Sequence, residues 1–129
     1  MSDNRFTWVN GRMMPKDQAA ISPFDHGFLY GDGCFEGIRI YNHRIFKFDE
    51  HIDRLYDSAK VMLIDIDSRI SRADLETAIF ESIHANEIYD RGYIRLVATR
   101  GAGDLGINPR KCTEPPTVVI IVDTLSIYP

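Results

Sequence analysis

The chain has 129 residues and a mass of 14.8 kDa, and 44% of its residues are hydrophobic, 26% charged and 11% aromatic. These proportions predict one compact domain with an ordinary core, and they exclude a disordered tail or a coiled coil. The formal charge is -4, the isoelectric point is near 5.5, and no run of lysine or arginine stands out. Nucleic acid and an anionic membrane are therefore poor candidates for partners.

No segment of the sequence indicates secretion or a membrane span. Polar residues, among them Arg5, Arg12 and Lys16, interrupt the first 30 residues. No segment approaches the roughly 18 consecutive apolar residues that a membrane span requires. The two cysteines, Cys34 and Cys112, form neither a C-x-x-C motif nor a dense disulfide framework. We therefore expect a soluble protein in a reducing, cytoplasmic compartment.

The first half of the chain predicts strands joined by tight turns. Asn10-Gly11 lies between two apolar runs and predicts a hairpin, because both turn positions require a positive φ. Asn42-His43 predicts another tight turn, whereas residues 21–33, rich in Gly, Asp and Pro, predict a loop. The predicted strands are 6–9, 12–14, 34–41 and 44–48.

The second half predicts two helices followed by two strands. Asp49 is a suitable N-cap for a helix over residues 50–62, whose apolar residues share one face. Ser71 begins a capping box with Asp74 in place of Glu, and the helix that follows has an apolar stripe at every fourth residue. Residues 92–99 and 116–123 are typical of strands. The order predicts an α+β fold in which two helices pack on a mostly antiparallel sheet.

The segment Gly101–Gly106 matches the G-x-G-x-x-G pattern of dinucleotide-binding sites and follows a predicted strand. That pattern must open a helix whose N-terminus holds a pyrophosphate, but Pro109, Pro115 and Pro116 follow too soon for such a helix. We therefore predict a loop here and no dinucleotide site. The four histidines lack metal-ligand spacing, so we predict no metal site either.

Two predicted strands share an unusual alternation of aromatic and arginine residues. Side chains on one face of a strand recur at every second residue, which groups Phe35, Gly37, Arg39 and Tyr41 on the first strand and Tyr93, Arg95, Val97 and Thr99 on the second. Two arginines and several rings in one sheet would form a floor suited to a small carboxylate with an apolar side chain. The alternative is an ordinary half-exposed sheet face with arginine stems packed along it.

Three blocks of sequence resemble the signature of the class IV aminotransferases, the pyridoxal-phosphate enzymes of fold type IV. They are DHGFLYGDGCFEGIR at 25–39, EHIDRL with SAK at 50–60, and Tyr93-Ile94-Arg95 with residues 100–111. They occur in the family's order, and the third is similar to branched-chain amino-acid aminotransferases in particular. The resemblance covers only the family's N-terminal small domain. It implies that residues 1–129 form one small domain of the D-amino-acid-aminotransferase-like fold.

The resemblance implies roles for residues in all three blocks. Arg54 matches the arginine that binds the cofactor phosphate, and a guanidinium suits this role because it forms paired hydrogen bonds to phosphate oxygens. From spacing alone, Arg54 could instead pair with Glu50, one helical turn earlier. The positions that match the substrate pocket are Phe35, Gly37, Arg39, Tyr93 and Arg95. Those that family dimers lend to the neighbouring subunit's pocket are Tyr30, Leu105, Gly106 and Ile107.

The family's cofactor-bonding lysine lies on a C-terminal domain beyond the end of this chain, and none of Lys16, Lys47, Lys60 and Lys111 matches it. We therefore expect the N-terminal domain of a homodimeric enzyme that uses pyridoxal 5'-phosphate to transfer amino groups between Leu, Ile or Val and 2-oxoglutarate. The resemblance places no catalytic residue in this chain and implies that it does not turn over alone.

Two other hypotheses are compatible with the sequence. The same fold could serve a D-amino-acid aminotransferase or an aminodeoxychorismate lyase, although the third block favours the branched-chain type. The missing lysine would also be compatible with a non-enzymatic module that binds a small anion or dimerises through its exposed sheet face.

Overall fold

The computed structural model describes residues 4–125, so the ends of the predicted domain, residues 1–3 and 126–129, lie outside the described residues. The strands are β1 (Phe6–Val9), β2 (Arg12–Pro15), β3 (Gly33–Tyr41), β4 (Arg44–Ile45), β5 (Gly92–Thr99) and β6 (Val118–Thr124). The α-helices are α1 (His26–Tyr30), α2 (Phe48–Val61) and α3 (Arg72–Asn86), and two short 3-10 helices cover Ile66–Ser68 and Pro109–Lys111.

All six strands form one sheet in the order β2-β1-β6-β5-β3-β4, and every neighbouring pair is antiparallel. Helix α2 packs on β3, and helix α3 packs on β6 and β1. Because both long helices lie on the same sheet, the predicted α+β architecture is confirmed.

The core lies between the two long helices and one face of the sheet. Both helices bury the apolar stripes that the sequence predicts, which comprise Ile52, Leu55 and Ala59 in α2 and Leu75, Ile79 and Ile83 in α3. The sheet contributes the even-numbered residues of its central strands, including Ile38, Ile40, Ile94, Leu96 and Ile120, each at most 1% exposed. The odd-numbered residues of β3 and β5 therefore lie on the opposite face, which the long helices leave uncovered.

The hairpin prediction at Asn10-Gly11 and the turn prediction at Asn42-His43 are both confirmed. Their φ angles are 50° and 98° in the first turn and 53° and 65° in the second. These values are those of turns with positive φ at both central positions, which match the twist of the flanking strands. Strand β4 is shorter than predicted, because the chain leaves the sheet after Ile45 and soon enters α2.

The N-terminal caps of the two long helices differ from each other. The Ser71 prediction is confirmed, since its side chain accepts a hydrogen bond from the backbone N of Asp74 at 3.2 Å. The prediction of Asp49 as N-cap is wrong, because α2 begins at Phe48 and follows Lys47, which has a φ of 50° and makes no side-chain cap. Asp49 lies instead in the first turn, where its carboxylate still interacts favourably with the helix N-terminus.

The predicted loop over residues 21–33 contains one short helix, α1. Its N-cap Asp25 accepts a hydrogen bond from the backbone N of Gly27, and its C-cap Gly31 has a left-handed φ of 67°. This helix of five residues is too short to show an apolar period, and only its two caps mark it in the sequence.

None of the helices within residues 4–125 has the length and apolar character required to cross a bilayer. In the same part of the chain, no group of three or more His, Cys, Asp and Glu side chains is placed to hold a metal ion.

Candidate functional site

The register between β3 and β5 brings the predicted substrate-pocket residues to one face of the sheet. Gly37 lies opposite Arg95, and Arg39 lies opposite Tyr93. Directly opposed residues in an antiparallel pair project from the same face, and Phe35 shares that face by alternation. This is the sheet face that α2 and α3 leave uncovered, and we call it the open face.

Arg95 occupies the centre of the open face. Its Cζ atom lies 3.9 Å from the centroid of the Phe35 ring, within the range of a cation–π contact. Its Nη1 atom lies 3.4 Å from the hydroxyl oxygen of Tyr93. Arg39 has a different partner, since its Nε donates to the Tyr41 hydroxyl at 3.1 Å. The open face therefore holds two guanidinium groups, each in contact with an aromatic side chain.

Gly37 leaves the space that the Tyr93 side chain occupies. A Cβ atom at position 37 would overlap the Tyr93 hydroxyl and would lie 2.9 Å from Cε2 of the same ring. Because real Cβ atoms do not approach other atoms this closely, Tyr93 could not keep its position beside a residue larger than glycine. The pair of Gly37 and Tyr93 is thus a steric unit.

A shallow cavity of about 330 Å³ lies at the end of the open face nearest α1. Its lining includes the apolar side chains of Ile21, Phe28, Phe35 and Val97 together with Arg95. Apolar walls with one cationic group fit a small molecule that carries an anionic end and an aliphatic or aromatic end.

Arg54 lies on α2, on the other side of β3, and its partner is Glu36. The Arg54 Nε atom is 3.0 Å from each Glu36 carboxylate oxygen, and Nη2 is 2.8 Å from Oε1. The pairing with Glu50 that spacing alone allowed is not the one formed. The structure therefore does not bring Arg54 to the open face with the other predicted site residues.

Glu36 is the buried centre of this ion pair, and His51 also contacts it. Glu36 is 5% exposed, and His51 Nδ1 lies 2.8 Å from its Oε1 atom. Burial raises the pKa of the Glu36 carboxyl, but the hydrogen bonds from Arg54 and His51 and the positive charge of Arg54 outweigh burial and hold this pKa below its usual value. The hydrogen bond between Arg54 and Glu36 also raises the pKa of the Arg54 guanidinium. Glu36 is therefore a carboxylate at neutral pH.

Most of β3 forms an edge of the sheet, where both faces of the strand are accessible to one molecule. Strand β4 pairs only with Ile40 and Tyr41 of β3, so residues 33–39 have β5 as their sole strand neighbour among the described strands. Arg54 with Glu36 lies on one side of this edge, and Phe35 and Gly37 lie on the other. A molecule bound along the edge could contact both sides.

The four positions predicted to serve a neighbouring subunit lie around α1 and the loop after β5. The hydroxyl of Tyr30 accepts a hydrogen bond from the backbone N of Gly106 at 2.7 Å. The flanking Leu105 and Ile107 are 60% and 80% exposed. Phe28 of α1, which lines the cavity, is 69% exposed as well.

A buried polar network that the sequence analysis missed connects α1 to the strands. Asp25 is 1% exposed, and its Oδ2 atom accepts hydrogen bonds from the hydroxyls of Thr99 at 3.0 Å and Thr117 at 2.5 Å. His26 is fully buried, and its Nε2 atom lies 2.8 Å from the backbone oxygen of Asp104. These contacts hold the loop of Tyr30 and the loop of Gly106 in a common position.

Glu36 and His51 were also missed, although both lie inside blocks that carried the resemblance. Glu36 falls on the face of β3 opposite Gly37, so the alternation that grouped the arginines excluded it. The available signal was a charged residue among the buried positions of a strand, which requires a partner.

The site therefore consists of an α+β domain with guanidinium groups on both sides of one strand edge, and guanidinium groups are donors suited to carboxylate and phosphate oxygens. A family model described as "Amino-transferase class IV" matches residues 33–129. The chain therefore belongs to the class IV aminotransferase family.

Several curated proteins are similar to this chain. A Methanocaldococcus jannaschii protein assigned as a branched-chain-amino-acid aminotransferase is 48% identical over 89% of this chain and 39% of its own length. A D-alanine aminotransferase of Bacillus licheniformis is 44% identical over 71% of this chain and 31% of its own length. An aminodeoxychorismate lyase of Bacillus subtilis is 36% identical over 92% of this chain and 40% of its own length. The chain spans about two fifths of the length of the first of these relatives.

Two solved structures of branched-chain amino acid aminotransferases share the fold. The enzyme from T.th., complexed with N-(5'-phosphopyridoxyl)-L-glutamate, superposes with a TM-score of 0.84 and 35% sequence identity, over 97% of this chain and 42% of that one. The Escherichia coli enzyme superposes with a TM-score of 0.84 and 29% identity, over 95% of this chain and 42% of that one. The predicted fold family is thereby confirmed.

Proposed function

We propose that this chain supplies the phosphate-binding arginine and the substrate-facing sheet of a branched-chain amino-acid aminotransferase. The observation that carries the proposal is the arrangement at the edge of β3, where Arg54 lies on one side and Phe35, Gly37 and Arg95 lie on the other. Membership of the family and the similarity to branched-chain aminotransferases support this choice of reaction.

Arg54 fits a phosphate group. Its side chain is 66% exposed, and Nη1 makes no hydrogen bond to any residue in the described part of the chain. A guanidinium with unused donors in one plane forms paired, charge-assisted hydrogen bonds to phosphate oxygens. We therefore propose pyridoxal 5'-phosphate as the cofactor, the phosphopyridoxyl group being present in the T.th. structure. When bound, this cofactor supplies an electron-withdrawing ring that stabilises the carbanion formed during amino transfer.

The open face would bind the amino acid and the 2-oxo acid. Arg95 and Arg39 provide positive charge for the substrate carboxylate, and the Tyr93 hydroxyl is 3.4 Å from Arg95. The lining around Phe35 and Ile21 is largely apolar, which suits a branched aliphatic side chain. Phe35, Gly37, Arg39, Tyr93 and Arg95 are thus proposed as substrate-binding residues.

A homodimer would complete this site. Leu105 and Ile107 are strongly exposed, and the hydrogen bond from Gly106 to Tyr30 holds their loop against α1. Exposed apolar groups on a positioned loop favour contact with another subunit. We propose that Tyr30, Leu105, Gly106 and Ile107 enter the neighbouring subunit's pocket, as the sequence resemblance implies.

We further propose that residues 1–129 are the N-terminal domain of the enzyme and that a C-terminal domain provides the cofactor-bonding lysine. The coverage of about two fifths of the first curated relative supports this division. A cytoplasmic location is proposed as well, since the free thiols of Cys34 and Cys112 suit a reducing compartment.

The test is a substrate and cofactor assay on the full-length protein. Leucine with 2-oxoglutarate should be converted faster than D-alanine or aminodeoxychorismate, and faster conversion of either competitor would assign the site to the corresponding relative. Arg54→Ala should weaken binding of pyridoxal 5'-phosphate about tenfold or more, because it removes a charge-assisted phosphate contact. Arg72→Ala, which removes an exposed helix arginine paired with Asp53, is the matched control and should leave this affinity unchanged.

A further inference from the structure

We propose that Glu36 is the positioning residue for Arg54, holding one edge of the guanidinium so that its other edge is presented to the phosphate group. The inference rests on the proposed phosphate role of Arg54 and identifies the residue that organises that role. Glu36 itself would not contact the ligand.

Arg54 needs such a partner because its side chain is long and largely exposed. An unrestrained arginine side chain samples many rotamers, and ordering it on ligand binding costs conformational entropy. Its Nε atom is 3.0 Å from both oxygens of Glu36, and its Nη2 atom is 2.8 Å from Oε1. The ordering has therefore taken place before any ligand arrives.

The contacts also determine which donors remain. A guanidinium has five N–H groups in one plane, and Glu36 takes the one on Nε and one on Nη2. The two on Nη1 and the second on Nη2 point away from the carboxylate, because the group is planar. One N–H of Nη1 and the remaining N–H of Nη2 share the end edge of the guanidinium, where they can donate to two oxygens of one phosphate group.

Glu36 is itself held firmly. Its backbone is in the centre of β3, opposite Leu96 of β5, and its side chain is 5% exposed. His51 Nδ1 lies 2.8 Å from Oε1, one helical turn before Arg54. The carboxylate is thus clamped between a sheet and a helix, and its position is transmitted to the guanidinium.

The negative charge of Glu36 opposes phosphate binding, whereas its hydrogen bonds to Arg54 favour phosphate binding. A carboxylate beside Arg54 repels a phosphate group, so electrostatics alone would make removal of the charge strengthen phosphate binding. If Glu36 positions Arg54, removal of the Glu36 charge should instead weaken phosphate binding. The direction of the change therefore separates the two effects.

The experiment compares pyridoxal 5'-phosphate with pyridoxal, which lacks the phosphate group, in binding titrations of the full-length protein. The ratio of the two dissociation constants isolates the phosphate contribution. Glu36→Gln should reduce the preference for the phosphorylated form about tenfold, the cost of ordering one long side chain. In an Arg54→Ala background the same substitution should change the ratio less than about twofold, because the residue acts through Arg54.

Two control variants make the result decisive. Glu76→Gln removes a helix carboxylate that pairs with Arg72 and should leave the ratio unchanged. If Glu36→Gln does not fold, as judged by circular dichroism, Glu36→Asp keeps the charge, withdraws the carboxylate from the guanidinium and should lower the ratio in the same direction. A purely structural role would weaken the binding of both compounds equally and leave the ratio constant.

A ratio that stays constant or rises in Glu36→Gln, while Arg54→Ala lowers it, would overturn this inference and leave the proposed function intact. An equal fall in both the wild-type and the Arg54→Ala backgrounds would overturn it as well. If Arg54→Ala itself does not change the ratio, the phosphate role of Arg54 is wrong, and the inference is overturned together with it.

Discussion

The Asp25 side chain should be one of the most important polar groups for the stability of this domain. It is 1% exposed and accepts three hydrogen bonds, from the backbone N of Gly27 at 2.8 Å and from the hydroxyls of Thr99 at 3.0 Å and Thr117 at 2.5 Å. It therefore caps α1 and fastens this helix to the end of β5 and to the segment that enters β6.

The cost of Asp25→Ala can be estimated from these three contacts. Loss of an N-cap costs about 1 kcal/mol. Thr99 and Thr117 are 6% and 5% exposed, so both hydroxyls would lose their acceptor in a buried environment. Each unsatisfied hydroxyl costs about 1.5 kcal/mol. We therefore expect Asp25→Ala to lower the free energy of unfolding by about 4 kcal/mol.

Asp25→Asn is the more selective variant. Its Oδ1 atom can still accept from Gly27, but its amide would face two hydroxyls, and the Thr99 hydroxyl oxygen already accepts a hydrogen bond from the backbone N of Gly101 at 3.0 Å. At least one hydroxyl proton would then have no acceptor. The expected cost is about 2 kcal/mol.

The assay is urea denaturation of the wild-type protein and both variants, followed by circular dichroism. Asp17→Asn, at an exposed turn position, is the control and should change the free energy of unfolding by less than about 0.5 kcal/mol. A cost below about 1 kcal/mol for Asp25→Ala would refute the argument, because it would mean that the buried hydroxyls find other acceptors.

Three further predictions concern the open face, the core and the ion pair. Gly37→Ala should displace the Tyr93 ring and raise the KM for leucine about tenfold or more. It should lower the free energy of unfolding by only about 1 kcal/mol, since only the end of the ring must move. An unchanged KM in steady-state kinetics would contradict this prediction. Ile79 is fully buried, so Ile79→Ala should cost about 3 kcal/mol in thermal or urea unfolding and Ile79→Val about 1 kcal/mol, and equal costs would argue against a close-packed site. Glu36 has a lowered pKa despite its burial, so its stabilising contribution is present above its unfolded pKa and is lost as the pH falls through the folded value. Urea midpoints measured from about pH 5 to pH 3 should therefore fall more steeply for the wild type than for Glu36→Gln, and parallel profiles would rule this linkage out.

Local sequence alone determined most of the secondary structure. The positive φ angles at Asn10-Gly11, the Ser71 cap and the apolar stripe of Leu75, Ile79 and Ile83 all follow from interactions within a few residues. Alternation along β3 and β5 likewise determined which residues could share a face. These features need no knowledge of which strands are neighbours.

Other local predictions were wrong where a tertiary neighbour decided the outcome. Asp49 has the side chain of an N-cap, but α2 begins earlier, at Phe48, whose ring packs on Phe80 with the centroids 5.4 Å apart. The short α1 forms where a loop was predicted, because Asp25 reaches hydroxyls 74 and 92 residues further along the chain. A cap is a local device, and the choice among possible caps depends on what the helix packs against.

The candidate site shows the same division. The family resemblance selected Arg54, and the alternation selected Phe35, Arg39 and Arg95. Neither signal could show that Arg54 lies on one side of β3 and the other three residues on the opposite side. Spacing offered Glu50 as the partner of Arg54, whereas the structure pairs it with Glu36, 18 residues away, because α2 packs on β3. A sequence lists the charged groups that a chain contains, and only packing brings a carboxylate of a strand within hydrogen-bond distance of a helix guanidinium.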